Sequence, residues 1–204
     1  MNNNVKYGVI LEARMGSSRL PGKTLMDMCG EPLIRRVVDR IKCSKIIDKI
    51  VLATTTSSQD DILVDYMNKI GIDVFRGSED NVLERVVLAS EEYYIENIIE
   101  LHGDNPFLDP EIIDLTIDKY ELTNCDYISN TLKNSFPMGL RVQVFPTKLL
   151  RHIYNTVDDS AVNEHVSLYF YENPDIFKIE NVNAPNQINR PHIRLTVDTE
   201  EDFQ

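Results

Sequence analysis

The chain has 204 residues, enough for one domain, or one domain with a modest insertion, that buries most of its surface. Its formal net charge of −12, from 33 acidic and 21 basic residues, argues against a general surface for nucleic acid or anionic membranes. Any anion that the protein binds must therefore be held by a local group of cations.

The first predicted element is a buried strand at YGVIL, followed by the loop LEARMGSSRLPGK at residues 11–23. This loop brings three cations together with small residues: Arg14, Gly16, Ser17, Ser18, Arg19, Gly22 and Lys23. Small residues let backbone N–H groups approach phosphate oxygens, and fixed cations offset phosphate charge. The pattern matches neither GxxxxGK[ST] nor GxGxxG. It predicts a phosphate-binding loop at the carboxyl end of a strand; the alternative is a solvated, charged turn.

Strand and helix patterns alternate through the first 122 residues. We predict helices at residues 32–43, 60–70 and 82–94, the last capped within residues 78–80, and one that opens at Pro110. Strands are predicted at residues 49–54, 72–75 and 97–101. Short βα units with right-handed crossovers give a three-layer α/β/α arrangement with helices on both faces of one sheet.

The rhythm changes after residue 126. Strands are predicted at residues 127–131, 139–145, 177–182 and 192–197, with a helix at 147–156 and a helical segment around 160–171. We expect one domain over residues 1–204, with a nucleotide-binding part (1–122), an acceptor-binding or dimer-forming part (123–190) and a return strand (191–204).

Two aspartates follow predicted strands. Asp104 stands in IIELHGDNPF and Asp198 in IRLTVDTEED. Magnesium takes oxygen ligands from one or two carboxylates together with phosphate and water, so this pair is a candidate metal site beside the loop. The alternative is that each aspartate caps a helix N-terminus.

Two other strand ends carry polar groups. Ala53, Thr54 and Thr55 end one strand, and Arg76 and Gly77 end the next, where they could face a base; turn formation is the alternative. His165, in NEHVSLYFY, is a candidate acceptor contact, with core packing as the alternative.

The cysteines are odd in number and have no CxxC spacing, which fits neither a disulfide framework nor a zinc site: Cys29, Cys43 and Cys125. We therefore expect a reduced, cytoplasmic compartment. No window approaches the roughly 18 apolar residues of a membrane span, and the N-terminus has no export signal pattern. We expect no membrane and no nucleic-acid partner.

Seven ordered motifs cover nearly the whole chain: ARMGSSRLPGK, GEPLIRRVVDRI, VLATT, VFRGSEDNVLER, GDNPFLDPEII, EHV and RLTVDTEED. In this combination the chain resembles the cytidylyltransferase family of spore-coat polysaccharide protein F, related to the CMP-KDO and CMP-sialic acid synthetases. The resemblance implies a nucleotide-diphosphosugar transferase-like (Rossmann-like) fold with a mixed sheet. It also implies CTP as co-substrate, Mg²⁺ as cofactor, release of pyrophosphate and a homodimer.

The resemblance also implies roles for particular residues. Catalysis would depend on Arg14, Lys23 and Asp104, and metal binding on Asp104 and Asp198. The nucleotide would contact Leu11, Ala13, Arg14, Gly16, Ser17, Ser18, Arg19, Lys23, Ala53, Thr54, Thr55, Arg76, Gly77 and Asp104. Independently of the resemblance, we expect the acceptor to contact Arg141, Gln143, Glu164 and His165.

The sequence departs from the family at the acceptor strand. Relatives commonly have a GLDVEVF-like strand, whereas this chain has GLRVQVF, with Arg141 and Gln143 in place of two acids. Arg141 would suit a carboxylate or phosphate, so an acidic sugar, a sugar phosphate or a small phosphorylated acid is expected, for surface polysaccharide synthesis. A surface arginine on a strand is the alternative. The chain stops just after VDTEED, as a fragment or a minimal form would. A transferase for another nucleoside triphosphate and a non-catalytic nucleotide-binding module are the rival functions.

Overall fold

The computed structural model describes residues 4–204. Four parallel strands alternate with four helices in the first part of the chain. They are β1 (Val5–Glu12), α1 (Leu33–Ile41), β2 (Lys49–Thr55), α2 (Asp61–Lys69), β3 (Asp73–Gly77), α3 (Val82–Glu92), β4 (Ile95–His102) and α4 (Pro110–Thr123). Every strand and helix predicted for this part is present, within a few residues of its predicted bounds.

The second part of the chain extends the same sheet. Its elements are β5 (Tyr127–Ser129), β6 (Gln143–Pro146), α5 (Thr147–Thr156), α6 (Ser160–Glu164), α7 (Leu168–Glu172), β7 (Ile179–Asn181) and α8 (Glu200–Phe203). The strand order is β3-β2-β1-β4-β6-β5-β7. Strand β6 is antiparallel to both β4 and β5, while the other pairs are parallel, so the sheet is mixed.

Side chains alternate between the two faces of the sheet, as β geometry requires. Leu11 of β1 packs on one face in a core shared with α1, α2 and α4. Its neighbour Ile10 packs on the other face with α3, α5, α6 and α7. The predicted three-layer α/β/α fold is therefore confirmed.

Helix boundaries follow local capping chemistry. Helix α4 starts with Pro110 at its first turn, after Asp109, whose carboxylate accepts from the Glu111 N–H. Helix α3 is capped by Asn81, which accepts from the Glu84 N–H at 2.8 Å. The predicted cap at residues 78–80 was therefore wrong, because the asparagine amide makes this bond instead.

The predicted strand at residues 139–145 begins only at Gln143. The Asn130 side chain bonds the backbone on either side of Arg141: its Nδ2 donates to Leu140 O at 2.6 Å, and its Oδ1 accepts from Val142 N at 2.9 Å. The Asn130 side chain thus takes the hydrogen bonds that a neighbouring strand would otherwise make with residues 140–142. The helical segment around residues 160–171 is two short helices, α6 and α7.

The return strand predicted at residues 192–197 is absent from the sheet. Its backbone bonds go to two loops: Leu195 N donates to Met138 O at 2.8 Å, and Val197 N donates to Asp104 O at 2.9 Å. Gly139 has φ of +101°, and a Cβ there would lie 2.7 Å from Thr196 N. The segment is therefore a bridge between loops, held close by a glycine, and it delivers Asp198 to the carboxyl edge of the sheet.

Among the described residues, no helix is both long and apolar enough to cross a membrane.

Candidate active site

A cleft of about 650 Å³ lies at the carboxyl ends of β1 and β4. Its lining includes the cations Arg14, Arg19 and Lys23 together with Asp104 and Asp198. A larger cavity, of about 850 Å³, lies at the opposite end of these strands. Open α/β sheets bind ligands at the carboxyl ends of their strands, so we assign the candidate site to the cleft.

Lys23 joins the two aspartates. Its ammonium donates to Asp104 Oδ2 at 3.1 Å, to Asp198 Oδ1 at 3.0 Å and to Val197 O at 2.8 Å. Residues separated by 94 positions in the sequence thus share one cation. The predicted convergence of loop and carboxylates is present in the structure.

Backbone contacts keep Asp104 beside the cationic loop. Gly103 N donates to Glu12 O at 2.9 Å, and a Cβ on Gly103 would lie 2.7 Å from the Ala13 Cβ. Only glycine allows the loop after β4 to approach the end of β1 this closely. This approach places Asp104 against the ammonium of Lys23.

Asp198 is surrounded by cations. Arg19 donates to its Oδ1 at 2.9 Å, and Arg194 donates to its Oδ2 at 2.8 Å. Burial alone would raise its pKa, but Lys23 and the two arginines outweigh burial and lower it. Asp198 does not cap a helix, since Thr199 forms the capping box of α8. Its carboxylate is therefore ionised, and both of its oxygens pair with cations of the protein.

The cationic loop is a folded turn. Met15 O accepts from both Ser17 N and Gly22 N at 3.0 Å, and the Ser17 hydroxyl accepts from Leu20 N. Gly22, with φ of +76°, is the residue in the left-handed region, so it supplies the conformation that the sequence suggested for glycine. Arg14 is exposed and pairs with Glu79 at 3.1 Å.

Asp60 anchors this loop to the end of β2. Its carboxylate, with the residue 2 % exposed, accepts from Met15 N at 2.7 Å, from the Thr54 hydroxyl at 3.0 Å and from both N–H and hydroxyl of Thr55. Burial would raise its pKa, but these hydrogen bonds outweigh burial and lower it. One carboxylate therefore fixes the position of the loop relative to the sheet.

We expect Asp60→Ala to lower the free energy of unfolding by about 2–4 kcal/mol, because it leaves buried donors unpaired. Urea titration measures the change, and Asp65→Ala, exposed on α2, is the control. A lowered folded-state pKa stabilises above the unfolded value, about pH 4, and the effect is lost as pH falls through the folded value. The two stability curves should therefore approach each other in acid. Equal curves at pH 7 would contradict the anchoring role.

The residues predicted to surround the cytidine do not line the cleft. Thr54 and Thr55 are buried and use their hydroxyls on Asp60, and Ala53 lies in the core. Arg76 donates to Thr55 O and Ser57 O and pairs with Asp61. In this arrangement these side chains build the loop's support, because their polar groups already have protein partners. Gly77 ends β3 nearby, where a Cβ would press on Phe75 and Arg85.

Some of the other predicted nucleotide and acceptor contacts line the cleft, and others do not. Ala13, Ser17 and Ser18 line the cleft, as do the exposed Glu164 and His165 at the end of α6. Leu11 is fully buried in the core, and Gly16 lies behind the cleft wall near Gln59.

The two predicted acceptor residues on the β6 side are buried or partly buried. Gln143 is fully buried, and its Oε1 accepts from Tyr127, from Ser167 at 2.7 Å and from Arg141 at 3.0 Å. Arg141 precedes β6, so neither a strand position nor a fully exposed surface describes it. Neither residue lines the cleft in this conformation.

Several residues of the cleft were not predicted from the sequence, and three of them bear on its chemistry: Glu12, Arg85 and His102. Burial and the neighbouring Glu100 raise the pKa of Glu12 well above its usual range, against the opposing charges of Arg85 and Arg141. Burial lowers the pKa of Arg85. Strand position was the available signal, because Glu12 and His102 are the last residues of β1 and β4.

A mixed α/β sheet with a cationic loop and paired carboxylates at its carboxyl edge is suited to a protein that binds a phosphorylated ligand together with a divalent cation. The cytidylyltransferase family model matches residues 8–204. The chain belongs to the cytidylyltransferase family, which confirms the resemblance that its motifs carry, and it is thereby a nucleotidyltransferase enzyme.

Individual relatives support the same family assignment. The spore coat polysaccharide biosynthesis protein SpsF of Bacillus subtilis is 38% identical over 201 residues, covering 96% of this chain and 82% of the relative. A solved cytidylyltransferase from Leptospira borgpetersenii superposes with a TM-score of 0.90 at 32% identity, covering 98% of this chain and 84% of that one. A CMP:2-keto-3-deoxy-manno-octonic acid synthetase complexed with CTP has a TM-score of 0.68 at 18% identity, covering 96% and 94%, and shows the shared fold.

Proposed function

We propose that this protein transfers CMP from CTP to a small anionic acceptor, with release of pyrophosphate, in surface polysaccharide biosynthesis. The observation that carries the proposal is the contact of Lys23 with both Asp104 and Asp198 beside a loop rich in cations. Such a site can balance the charge of a triphosphate and bring its α-phosphate to an acceptor.

The loop would bind the triphosphate. Arg14 and Arg19 are exposed and line the cleft, and each pairs with a carboxylate that phosphate oxygens could replace. Lys23 would exchange its two aspartate partners for phosphate oxygens. Ser17 and Ser18 line the same wall and offer hydroxyl donors.

Asp104 and Asp198 would hold Mg²⁺. Their oxygens already converge on one cation, the Lys23 ammonium, and an all-oxygen set is the kind that a hard divalent ion prefers. When bound, the ion supplies charge neutralisation on the phosphates. Among solved relatives of the same fold, one is described as a complex with manganese.

The transfer itself needs little covalent chemistry from the protein. An acceptor oxygen attacks the α-phosphorus of CTP, the bond from that phosphorus to the bridging oxygen breaks, and pyrophosphate leaves with the electron pair. Lys23 and Arg14 would stabilise the charge on the leaving group. A carboxylate or phosphate acceptor needs no general base, because its attacking oxygen carries no proton near neutral pH.

We expect pyrophosphate release to depend on CTP, on Mg²⁺ and on an acceptor. The assay compares CTP, UTP, GTP and ATP over a panel of acidic sugars, sugar phosphates and small phosphorylated acids. CTP should exceed the other nucleotides by about tenfold or more in kcat/KM, since discrimination by base-edge hydrogen bonds is worth at least that much. Equal activity with all four nucleotides would contradict the cytidine assignment.

The acceptor end of the cleft is proposed to lie near Glu164 and His165, which are exposed there. Arg141 and Gln143 would act from behind this surface, through the buried groups that they contact. We also propose a homodimer, with α6 and the following residues as the candidate interface. Small-angle scattering that finds only a monomer at assay concentration would count against the dimer.

A further inference from the structure

Three titratable side chains meet at one end of the cleft. Glu12 of β1 is in register with His102 of β4, and Glu100 lies two residues earlier on the same face of β4. Glu12, Glu100 and His102 each offer one oxygen or nitrogen acceptor, and these atoms all lie within 4.8 Å of one another. We refer to these three residues as the acidic floor. Glu12 and His102 line the cleft, and Glu100 lies behind them.

Each residue of the acidic floor has one buried polar atom without a hydrogen-bond partner. Three buried atoms find no hydrogen-bond partner among the described residues: Glu12 Oε1, Glu100 Oε2 and His102 Nε2. The whole Glu100 residue is only 3 % exposed, so water does not replace the missing partner easily. Buried polar atoms of a native protein are usually paired, so an unpartnered atom on each of three neighbouring side chains requires an explanation. A ligand that donates three hydrogen bonds would supply it.

The nearby arginines do not fill this role. Arg85 directs its Nη1 to Ser78 O, and Arg141 directs its Nη2 to Gln143 Oε1 at 3.0 Å. The Nε atoms of both arginines are themselves buried and without a partner. The protein thus holds the two charges close to the glutamates without closing the ion pairs.

We propose that the acidic floor binds a primary ammonium group of the acceptor, whose reacting oxygen belongs to a phosphate or carboxylate on the same molecule. This inference rests on the proposed CMP transfer and names the class of its acceptor: a small anion that also carries an amine.

The geometry suits an ammonium. Three atoms no further than 4.8 Å apart all lie within about 2.8 Å of a common point, the length of a hydrogen bond from an ammonium N–H to a carboxylate oxygen. An ammonium has three N–H donors, one for each of the three side chains. A divalent ion would need ligands at about 2.0–2.2 Å and would add a second positive charge beside two arginines. The raised pKa of Glu12 supports the same choice, because an ammonium replaces a carboxyl proton without changing the net charge.

Access to the acidic floor requires a side-chain rotation, since the three acceptor atoms are shielded in this conformation. His102 forms the cleft wall with its side chain 30 % exposed, so its ring has room to turn towards solvent. Two residues further on is Asp104, and a chain spans at most about 7 Å over two residues. The acidic floor therefore lies close to the proposed metal site, which favours an acceptor whose amine and reacting anion are only a few bonds apart.

The test compares acceptors that differ only in an amine and a hydroxyl. One pair is O-phosphoethanolamine and 2-hydroxyethyl phosphate, and the other is glucosamine 1-phosphate and glucose 1-phosphate. Pyrophosphate release with CTP and Mg²⁺ gives kcat/KM, and the melting temperature of the CTP-saturated protein reports binding without turnover. The variant is Glu100→Gln, with Glu96→Gln, an exposed glutamate on the same strand, as its control.

For at least one pair we expect wild type to prefer the amine by about ten- to a hundredfold, the range of a charge-assisted hydrogen bond. Glu100→Gln should lose this preference while Glu96→Gln keeps it. Where turnover is too slow to measure, the amine should raise the melting temperature more than its hydroxyl partner, again only with Glu100 present. Equal behaviour of amine and hydroxyl in both readouts overturns the proposal.

A manganese titration separates the metal alternative. Binding of Mn²⁺ that is lost in Glu100→Gln and kept in Asp104→Asn would make the acidic floor a metal site and overturn the ammonium proposal. Failure of the transferase itself looks different: no acceptor gives CTP-dependent pyrophosphate and CTP causes no thermal shift, while the amine probes alone still report on the acidic floor.

Discussion

Asp104→Asn is expected to lower pyrophosphate release by about 1000-fold or more, because it removes one of the two carboxylates proposed to hold Mg²⁺ and loses several kcal/mol of charge stabilisation. The amide is the same size as the carboxylate and can still accept from Lys23, so the local fold should persist. Binding of CTP, measured by calorimetry, should stay within a few-fold of wild type, because the loop cations carry the phosphate contacts.

The control for this variant is Asp118→Asn, an exposed aspartate on α4 with no part in the cleft. It should match wild type in rate and in melting temperature. Turnover that survives Asp104→Asn unchanged would favour a different catalytic arrangement. Absence of turnover from wild type and variant alike, with CTP still bound, would favour a non-catalytic nucleotide-binding module.

Lys23→Met is expected to weaken CTP binding as well as turnover, unlike Asp104→Asn. Its ammonium is the cation shared by Asp104 and Asp198, and its side chain is 12 % exposed, so no water-borne ion easily replaces it. We expect kcat/KM for CTP to fall by about 100- to 1000-fold, the loss seen when one preorganised charge-stabilising donor is removed. Calorimetry should show weaker CTP binding by about tenfold or more, since the ammonium is proposed to bind phosphate oxygens.

The two variants therefore separate binding from turnover. Lys42→Met, exposed just after α1, removes a charge of the same kind away from the cleft and serves as the control. If Lys23→Met bound CTP as tightly as wild type, the ammonium would serve to hold the aspartates together rather than to bind phosphate.

Local pattern was sufficient for most of the fold. Alternation of apolar runs and helical spacing located β1 to β4 and α1 to α4, because each element buries one face against the same sheet. The strand predictions were wrong where contacts between loops take the place of hydrogen bonds between strands. Residues 192–197 look like a strand, but their N–H groups bond to Met138 and Asp104 across loops.

The candidate site was predicted in outline for the same reason. Strand ends meet at one edge of a parallel sheet, so Lys23, Asp104 and Asp198 could be placed together from sequence and resemblance. The direction of a side chain cannot be read in this way. Thr54 and Arg76 end strands at the expected edge, yet Asp60 and neighbouring backbone atoms take their hydrogen bonds.

The acidic floor was not predicted from the sequence, because no local pattern marks any of its three residues as part of a site. Glu12 ends an apolar run, where a charged residue normally marks the start of a solvated loop, and Glu100 is a single charge within one. Only the register of β1 against β4 turns them inward to one point. A pairing between strands that lie 90 residues apart leaves no trace in local spacing.

The position of Lys23 implies an order of events. Free Mg²⁺ arriving alone would compete with the Lys23 ammonium, which already contacts both aspartates at 3.0 and 3.1 Å. A nucleotide that arrives with its metal would offer phosphate oxygens to the Lys23 ammonium while the ammonium leaves Asp104 and Asp198. On the proposed function, Asp104 and Asp198 would therefore lose the Lys23 contact, and gain access to metal, only when a triphosphate is there to bind the lysine.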